Sequence, residues 1–360
     1  MRIALDARVL NTPHLRGMGK ATFELLRQGS LVPDVSFAIL GDEPRSPVHF
    51  PPSDRISVHT WELKGHRLRA WEQLGLPWQA NRLGCDVLHC LGTWCPYWQP
   101  LPTVVTVHDT LPWEEDQPSF FLNRLLPAAY ERASAIIAIS ENTRRDVVDR
   151  WPRLADKIVV IPHGVSDRYL VSEIAPLPQS LMALGVRPPY LLYFGGEVPR
   201  KRLQWAIDVW KDLGRSDVRL VLVGLATPKS TPWRDPLPPH LRDLIVALEF
   251  VSETDMPSLY AHAEAVLYPT LYEGFGFPAL ESQAAGVPVL MSALGSLTEL
   301  TGPGAVVVPP HDLPAWVAAS QRILAGDKPD LAASRLWAQR FSWKRTFEQT
   351  LAVYRRAAPS

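Results

Sequence analysis

The 360-residue chain carries 37 basic and 37 acidic residues, a formal net charge of zero, with 46% hydrophobic and 21% charged residues. That balance describes a folded globular protein rather than a disordered one. It also excludes the domain-wide basic field that nucleic-acid binding requires. The length exceeds the ~250–300 residues at which a single core stops growing, so two domains are expected.

Met1-Arg2-Ile3-Ala4-Leu5-Asp6 enters a strand at once and lacks the apolar stretch and cleavage site of a signal peptide. No apolar run approaches the ~20 residues that span a bilayer, and the expected location is the cytoplasm. Further strands are expected at 36–40, 56–59, 87–90, 104–107, 135–139 and 158–161, alternating with helical patterns at 20–28, 68–83, 120–132 and 141–150. Ser140 suits the N-cap of the last. Within this half, Cys85, Cys90, Cys95 and His89 lie close together. Their spacing matches no zinc pattern, and no metal is expected. An odd cysteine count also argues against a disulfide framework.

Pro176, Pro178, Pro188 and Pro189 stiffen a connector at 171–189, where the domain boundary is expected. Beyond it, strands are expected at 190–194, 218–223, 248–251, 265–268 and 287–290. Helices are expected at 203–213, 239–247, 256–262 and 278–285. A last helix at 343–356, apolar at Phe347, Leu351 and Tyr354, is expected to pack back across the junction. The predicted domains are thus 1–170, a linker 171–189, a second domain 190–342 and the terminal helix 343–360. Alternating strands and helices imply an α/β fold of two doubly wound, Rossmann-like domains facing a central cleft. Ligands bind at the carboxyl edge of such sheets.

The stretch Tyr272-Glu273-Gly274-Phe275-Gly276-Phe277-Pro278-Ala279-Leu280-Glu281 sets two carboxylates around a glycine-rich loop that runs into a helix. Pro278 suits the first helical position and Gly286 the stop. Such a turn aims backbone N–H groups and the positive end of a helix dipole at one point, an anion site. Glu281, one turn into the helix, is placed to accept from paired hydroxyls, as an acid grips ribose in dinucleotide folds. Glu273 flanks the same site from the loop. Phosphate beside sugar hydroxyls reads as a nucleotide, and two carboxylates allow a sugar nucleotide. The bare spacing of the two glutamates would more often be a capped surface turn. The glycines, Pro278 and the apolar strand at 265–268 favour the ligand site.

Upstream, the strand at 190–194 ends in Gly195-Gly196 and leads to Arg200-Lys201-Arg202. A charge run is usually a solvated face, but cations at an expected helix start oppose the dipole, and a bound anion would compensate. Arg200 and Lys201 are the residues for a diphosphate, and Arg202 is expected to be the solvated one. In the first half, His108 follows a strand and precedes Asp109, which could orient it. Gly17-Met18-Gly19 fits neither a dinucleotide fingerprint nor a P-loop, lacking the third glycine and the Ser or Thr after Lys20.

Together these segments resemble the family 4 glycosyltransferases of the GT-B fold. The resemblance rests on G-G-E-V-P-R-K at 195–201, E-G-F-G-F-P-A-L-E at 273–281 and G-V-P-V-L at 286–290. It extends to His108-Asp109, to the segments at 139–146 and 160–165, to Arg16-Gly17-Met18-Gly19-Lys20 and to Trp71-Glu72-Gln73-Leu74. The resemblance implies a retaining transfer of a hexose-type sugar from a nucleotide-diphosphate sugar to a hydroxyl of a glycan, lipid-linked or polysaccharide precursor. Arg200 and Lys201 would hold the diphosphate, Glu281 the ribose, and Glu273 with Gly274, Phe275 and Gly276 the sugar and phosphate. Gly195 and Gly196 would let the donor approach the backbone. His108 and Asp109 would act at the reacting sugar, with Gly17, Gly19 and Glu72 on the acceptor side. No cofactor or metal is expected, since cations and a helix N-terminus can stabilise the leaving diphosphate.

Two positions depart from the family's pattern. Gly196 stands where many members carry arginine, and His163 replaces the usual asparagine, read as a tolerated surface-loop change. Acceptor specificity is expected on loops such as 45–55 and 92–102. Trp61, Trp71, Trp78, Trp94, Trp98 and Trp113, with Arg67 and Arg69 among them, allow a surface at the inner face of a membrane; packing is the favoured reading. A nucleotide-sugar epimerase or hydrolase on the same fold, or a silent binding subunit, are the alternatives.

Overall fold

The computed structural model describes every residue except 7, 13, 43–48, 62–69, 111–123, 171–174, 226–231 and 359–360. The chain forms two compact units, Met1–Gly164 with Phe341–Ser360, and Val165–Arg340. The division therefore falls between Gly164 and Val165. Residues 175–189 belong to the second unit, where Leu177, Leu181 and Val186 are buried.

The first unit holds β1 (Arg2–Asp6), β2 (Ser36–Gly41), β3 (Ile56–Thr60), β4 (Val87–Cys90), β5 (Thr103–Val107), β6 (Ala135–Ala138) and β7 (Ile158–Val160). They form a parallel sheet in the order β3-β2-β1-β4-β5-β6-β7. Its helices include α1 (Gly17–Gly29), α2 (Leu76–Arg82), α3 (Leu126–Arg132) and α4 (Glu141–Arg150). A π turn, Trp71–Gly75, precedes α2. Ser140 caps α4 as expected, its hydroxyl accepting from the Thr143 N–H at 3.0 Å. The expected helical patterns at 68–83 and 120–132 begin in residues outside the described set.

The second unit holds β8 (Tyr190–Phe194), β9 (Arg219–Val223), β10 (Ile245–Leu248), β11 (Ala265–Tyr268), β12 (Val289–Met291) and β13 (Ala305–Val307). All are parallel, in the order β10-β9-β8-β11-β12-β13. Its helices include α5 (Gln179–Ala183), α6 (Leu203–Asp212), α7 (Pro239–Arg242), α8 (Met256–Ala261), α9 (Phe277–Ala284), α10 (Leu313–Leu324) and α11 (Leu331–Ala338). The expected helix at 239–247 and strand at 248–251 are corrected here. The β-branched pair Ile245-Val246 belongs to the strand, which pairs with β9 and leaves the helix only four residues.

The chain then returns to the first unit as α12 (Trp343–Ala357), whose Ser342 cap accepts from the Arg345 N–H at 3.2 Å. Strand alternation sorts the first sheet into two cores. Leu88, Val105, Val107 and Ile136 pack with Trp71 and Tyr130 on one face. Val87, Val104 and Ile137 pack with Phe347, Leu351 and Tyr354 of α12 on the other. Gly164 allows α12 its close approach, since a Cβ there would lie 2.2 Å from the Trp343 nitrogen.

Candidate active site

In the second sheet the chain runs from β8 outward through β9 and β10, then returns to lay β11 on the other side of β8. This reversal opens the crevice in which α/β sheets bind ligands, at the carboxyl ends of β8 and β11. The loop after β8 carries Gly195, Gly196, Arg200 and Lys201, and the loop after β11 carries Glu273. The two loops are sewn together: the Leu271 N–H donates to the Arg200 carbonyl at 2.9 Å. Arg200 Nη1 donates to the Tyr272 carbonyl at 2.6 Å and lies 3.0 Å from Glu273 Oε1. Lys201 Nζ lies 3.4 Å from the same oxygen, and Thr270 Oγ1 donates to it at 3.1 Å. Segments far apart in sequence thus converge on one carboxylate oxygen.

The supporting groups carry no signal in the sequence. The buried Tyr193 hydroxyl donates to the Gly196 carbonyl at 3.1 Å and the Lys201 carbonyl at 3.2 Å, bracing the first loop. Ser296, buried, donates to the Glu273 carbonyl at 2.5 Å and the Phe275 carbonyl at 3.1 Å, bracing the second. Gly274 and Phe275 lie in this loop, Phe275 buried with its ring edge-on to Phe277 at 5.3 Å. Gly276 precedes α9 with φ of 106°, and a Cβ there would lie 2.5 Å from Leu297 Cδ2. Glu281 is buried one turn further on and accepts from the Tyr260 hydroxyl at 2.9 Å. Tyr260 in turn stacks on Phe194 at 4.9 Å and meets Tyr169 edge-on at 5.6 Å. Burial first and then Glu281 hold both tyrosine hydroxyls well above their usual pKa. Tyr260 is visible as the donor to this carboxylate only once helices α8 and α9 are placed together.

Two expectations about the basic triplet change. Pro199–Lys201 is a 3-10 turn, and α6 starts at Leu203 after Arg202, whose φ is 55°. Arg202 is engaged rather than solvated: its guanidinium lies 3.8 Å over the Trp205 ring and donates to the Pro310 carbonyl.

In the first sheet the corresponding reversal lies between β1 and β4. Arg8, which belongs to no recognisable motif, sits at the end of β1 with Nη2 2.6 Å from Asp6 Oδ2 and 2.8 Å from Glu72 Oε1. Burial works against its charge, but the two carboxylates outweigh this and raise its pKa. Glu72 is therefore buried in an ion pair. Gly17 and Gly19 form the first turn of α1 rather than a separate loop, Gly19 packing against Leu15 and the Val9 carbonyl. His108 follows β5 and is buried, and Asp109 is half-buried beside it. The group that meets the His108 ring is His163, Nε2 to Nδ1 at 3.4 Å. His163 is no surface-loop residue: it is buried, between His108 and the Trp343 ring at 5.4 Å. Nearby His89 bonds Tyr354 Oη at 2.6 Å and Thr106 Oγ1 at 2.8 Å. Burial pushes His108 down to about 4 against the opposing Leu91 carbonyl, and burial with His108 pushes His89 down to about 3. His163 is lowered by the same causes as His89.

The three cysteines are free and buried, and no metal-holding group of His, Cys, Asp and Glu occurs among the described residues. Trp71 packs in the core, as expected, whereas Trp61, Trp78 and Trp98 are exposed. Arg67, Arg69, Trp113 and residues 45–48 lie outside the described residues. No helix among the described residues is long and apolar enough to cross a membrane.

Two such sheets with polar residues gathered at their switch points define a protein of the GT-B glycosyltransferase fold. The chain belongs to the family 4 (group 1) glycosyltransferases: residues 188–326 match "Glycosyl transferases group 1" and residues 32–169 match "Glycosyltransferase Family 4". O-antigen chain mannosyltransferase B of Escherichia coli is 30% identical over 250 residues, covering 65% of this chain and 64% of that protein. D-inositol 3-phosphate glycosyltransferase of Kineococcus radiotolerans is 31% identical over 258 residues, covering 63% of this chain and 58% of that protein. The chain thus aligns with less than two thirds of these relatives' length. Sucrose-phosphate synthase of Thermosynechococcus elongatus shares the fold with a TM-score of 0.72 and 20% identity over 99% of this chain and 98% of that one. Anabaena HepE, crystallised with UDP and glucose, shares it with a TM-score of 0.73 and 18% identity over 98% of each chain.

Proposed function

We propose that the chain transfers a hexose-type sugar, with retention and without a metal, from a nucleotide-diphosphate sugar to a hydroxyl of a glycan or lipid-linked acceptor. The observation that carries this reading is the convergence of Arg200, Lys201 and Glu273 at the β8/β11 switch point, with buried Glu281 one turn into α9. Two cations at one point suit a diphosphate, and a carboxylate held by a phenol suits vicinal hydroxyls. The leaving diphosphate develops charge as the glycosidic bond breaks, and fixed cations and backbone dipoles favour that state over the ground state. Those groups supply the stabilisation that other transferases draw from a metal. In the first unit, His108 and the Asp6–Arg8–Glu72 group are the candidates for the acceptor side.

A nucleotide-sugar panel offered with glycan acceptors tests the reading. Product formation in EDTA, with the anomeric configuration of the donor retained by NMR, is the expected result. Consumption of the nucleotide sugar at an equal rate without acceptor would instead indicate an epimerase or hydrolase.

A further inference from the structure

A surface cavity of about 480 Å³ opens in the first unit where β5 and β6 begin, lined by Gln99, Leu101, Thr103, Arg132 and Ser134 among others. That volume falls within the ~300–1,000 Å³ of small-molecule sites. His108 follows the other end of β5, so the five-residue strand, roughly 15 Å long, separates it from the cavity. Side-chain amides fix the wall formed by the loop between β4 and β5. Gln99 Nε2 donates to the Pro96 and Ala129 carbonyls, each at 2.8 Å, fastening the loop to α3. Gln73 accepts from the Tyr97 N–H at 2.8 Å and donates to the Cys95 carbonyl at 3.3 Å, fastening it to the π turn before α2.

Arg132 brings the cavity its charge. Its guanidinium lies on the Tyr97 ring at 5.1 Å and makes no ion pair among the described residues. Stacking holds the planar fork by its face and leaves the in-plane N–H groups for a ligand. The adjacent acid, Glu131, is paired with Arg153. Carbonyls at the end of α3 would repel an anion, but those of Glu131 and Ala133 accept from Lys157 Nζ. The cavity therefore presents uncompensated positive charge among the described residues. Tyr97 and Trp98, immediately before Gln99, are 45% and 43% exposed. An inorganic anion needs no such rings, and a neutral sugar needs no guanidinium. A lone guanidinium matches one carboxylate in bidentate geometry, whereas the diphosphate reading above draws on two cations. We propose that this cavity binds an acidic saccharide, a uronate carboxylate on Arg132 and the C–H face of a pyranose on Trp98. Binding here is independent of the transferase reading; within that reading, on which this role rests, the site holds part of an acceptor glycan away from its reacting hydroxyl.

The test is calorimetric titration of the full chain, without donor, using trimers of galacturonate and of mannuronate, each compared with its uncharged methyl ester. At least one acid trimer should bind with a stoichiometry of one. Its methyl ester, and the variants Arg132→Gln and Trp98→Ala, should each weaken binding by about tenfold or more. Lys201→Ala, in the second unit, should leave it unchanged. Failure of both acid trimers to bind overturns the proposal, as does equal affinity for the ester or in Arg132→Gln. Displacement of the bound trimer by an equimolar amount of UMP or of sulfate also overturns it, assigning the cavity to a nucleotide or to a simple anion. Arg132 and Trp98 are both exposed, and circular dichroism checks that their variants fold. Should either fail to fold, the comparison of acid with ester decides alone. If the protein transfers no sugar, the transferase reading fails while the titration still decides this site.

Discussion

Lys201 and Arg200 share one acceptor oxygen, Glu273 Oε1, and each keeps a partly open side chain. Ion pairs at this exposure contribute little to folding, about 0–1 kcal/mol. A charge-assisted bond to a diphosphate is stronger, about 1.5–3 kcal/mol. Lys201→Ala should therefore weaken nucleotide-sugar binding by roughly ten- to a hundredfold in calorimetric titration, while the melting temperature moves by no more than a few degrees. Glu281 presents the opposite case. It is buried against the Tyr260 hydroxyl, and Tyr260→Phe removes that donor while keeping the ring stacked on Phe194. Depriving a buried carboxylate of one donor costs about 1–3 kcal/mol, so this variant should lose stability in denaturant titration as well as donor affinity. An unchanged unfolding midpoint would show that Tyr260 does not support Glu281.

At the level of elements, the glycine positions define what the loops and helices can do. Gly276 combines a left-handed φ of 106° with a missing Cβ that would strike Leu297. Gly276→Ala should cost about 1–3 kcal/mol and loosen the Glu273–Gly276 loop, lowering donor affinity together with the melting temperature. Gly164→Ala tests a different contact, because its Cβ would meet backbone atoms of Trp343 that cannot yield. It should displace α12 at about 1–3 kcal/mol, read as faster hydrogen exchange in residues 343–357. Much of this architecture is legible in the sequence: β4, β8, β11 and α4 stand where the apolar runs and the Ser140 cap put them. The helices α10 and α11 escape it although Asp312 and Asp330 cap them, each accepting from a backbone N–H three residues on. Strand β13 has three residues, and so short a run carries little pattern. The donor-site residues are readable because they lie within contiguous motifs. Arg8, Tyr193, Tyr260 and Ser296 are not, because their roles arise only from neighbouring strands and loops. His163 misleads for the same reason: its loop is covered by a helix from the far end of the chain.

For the whole molecule, the buried imidazoles set an acid limit on stability. His108 titrates at about 4 when folded against about 6.5 when unfolded, so the unfolded state binds more protons between those values. Stability should therefore fall as pH drops from about 6.5 to 4, by about 3 kcal/mol for His108 alone, with His89 acting in the same direction. Calorimetric melting between pH 7 and 4.5 checks this, and a flat profile would contradict neutral burial of the cluster. Everything proposed for the second unit depends on its β8/β11 crevice holding a nucleotide-diphosphate sugar. Thermal melting with a panel of UDP-, GDP-, ADP- and dTDP-sugars, without added metal, addresses this first. A ligand at a hundred times its dissociation constant adds about 2.7 kcal/mol, a rise of several degrees. At least one nucleotide sugar should produce such a rise, and Lys201→Ala should cut it to about half or less at the same ligand concentration. No rise with any of them, or an equal rise in Lys201→Ala, would contradict the assignment of the crevice.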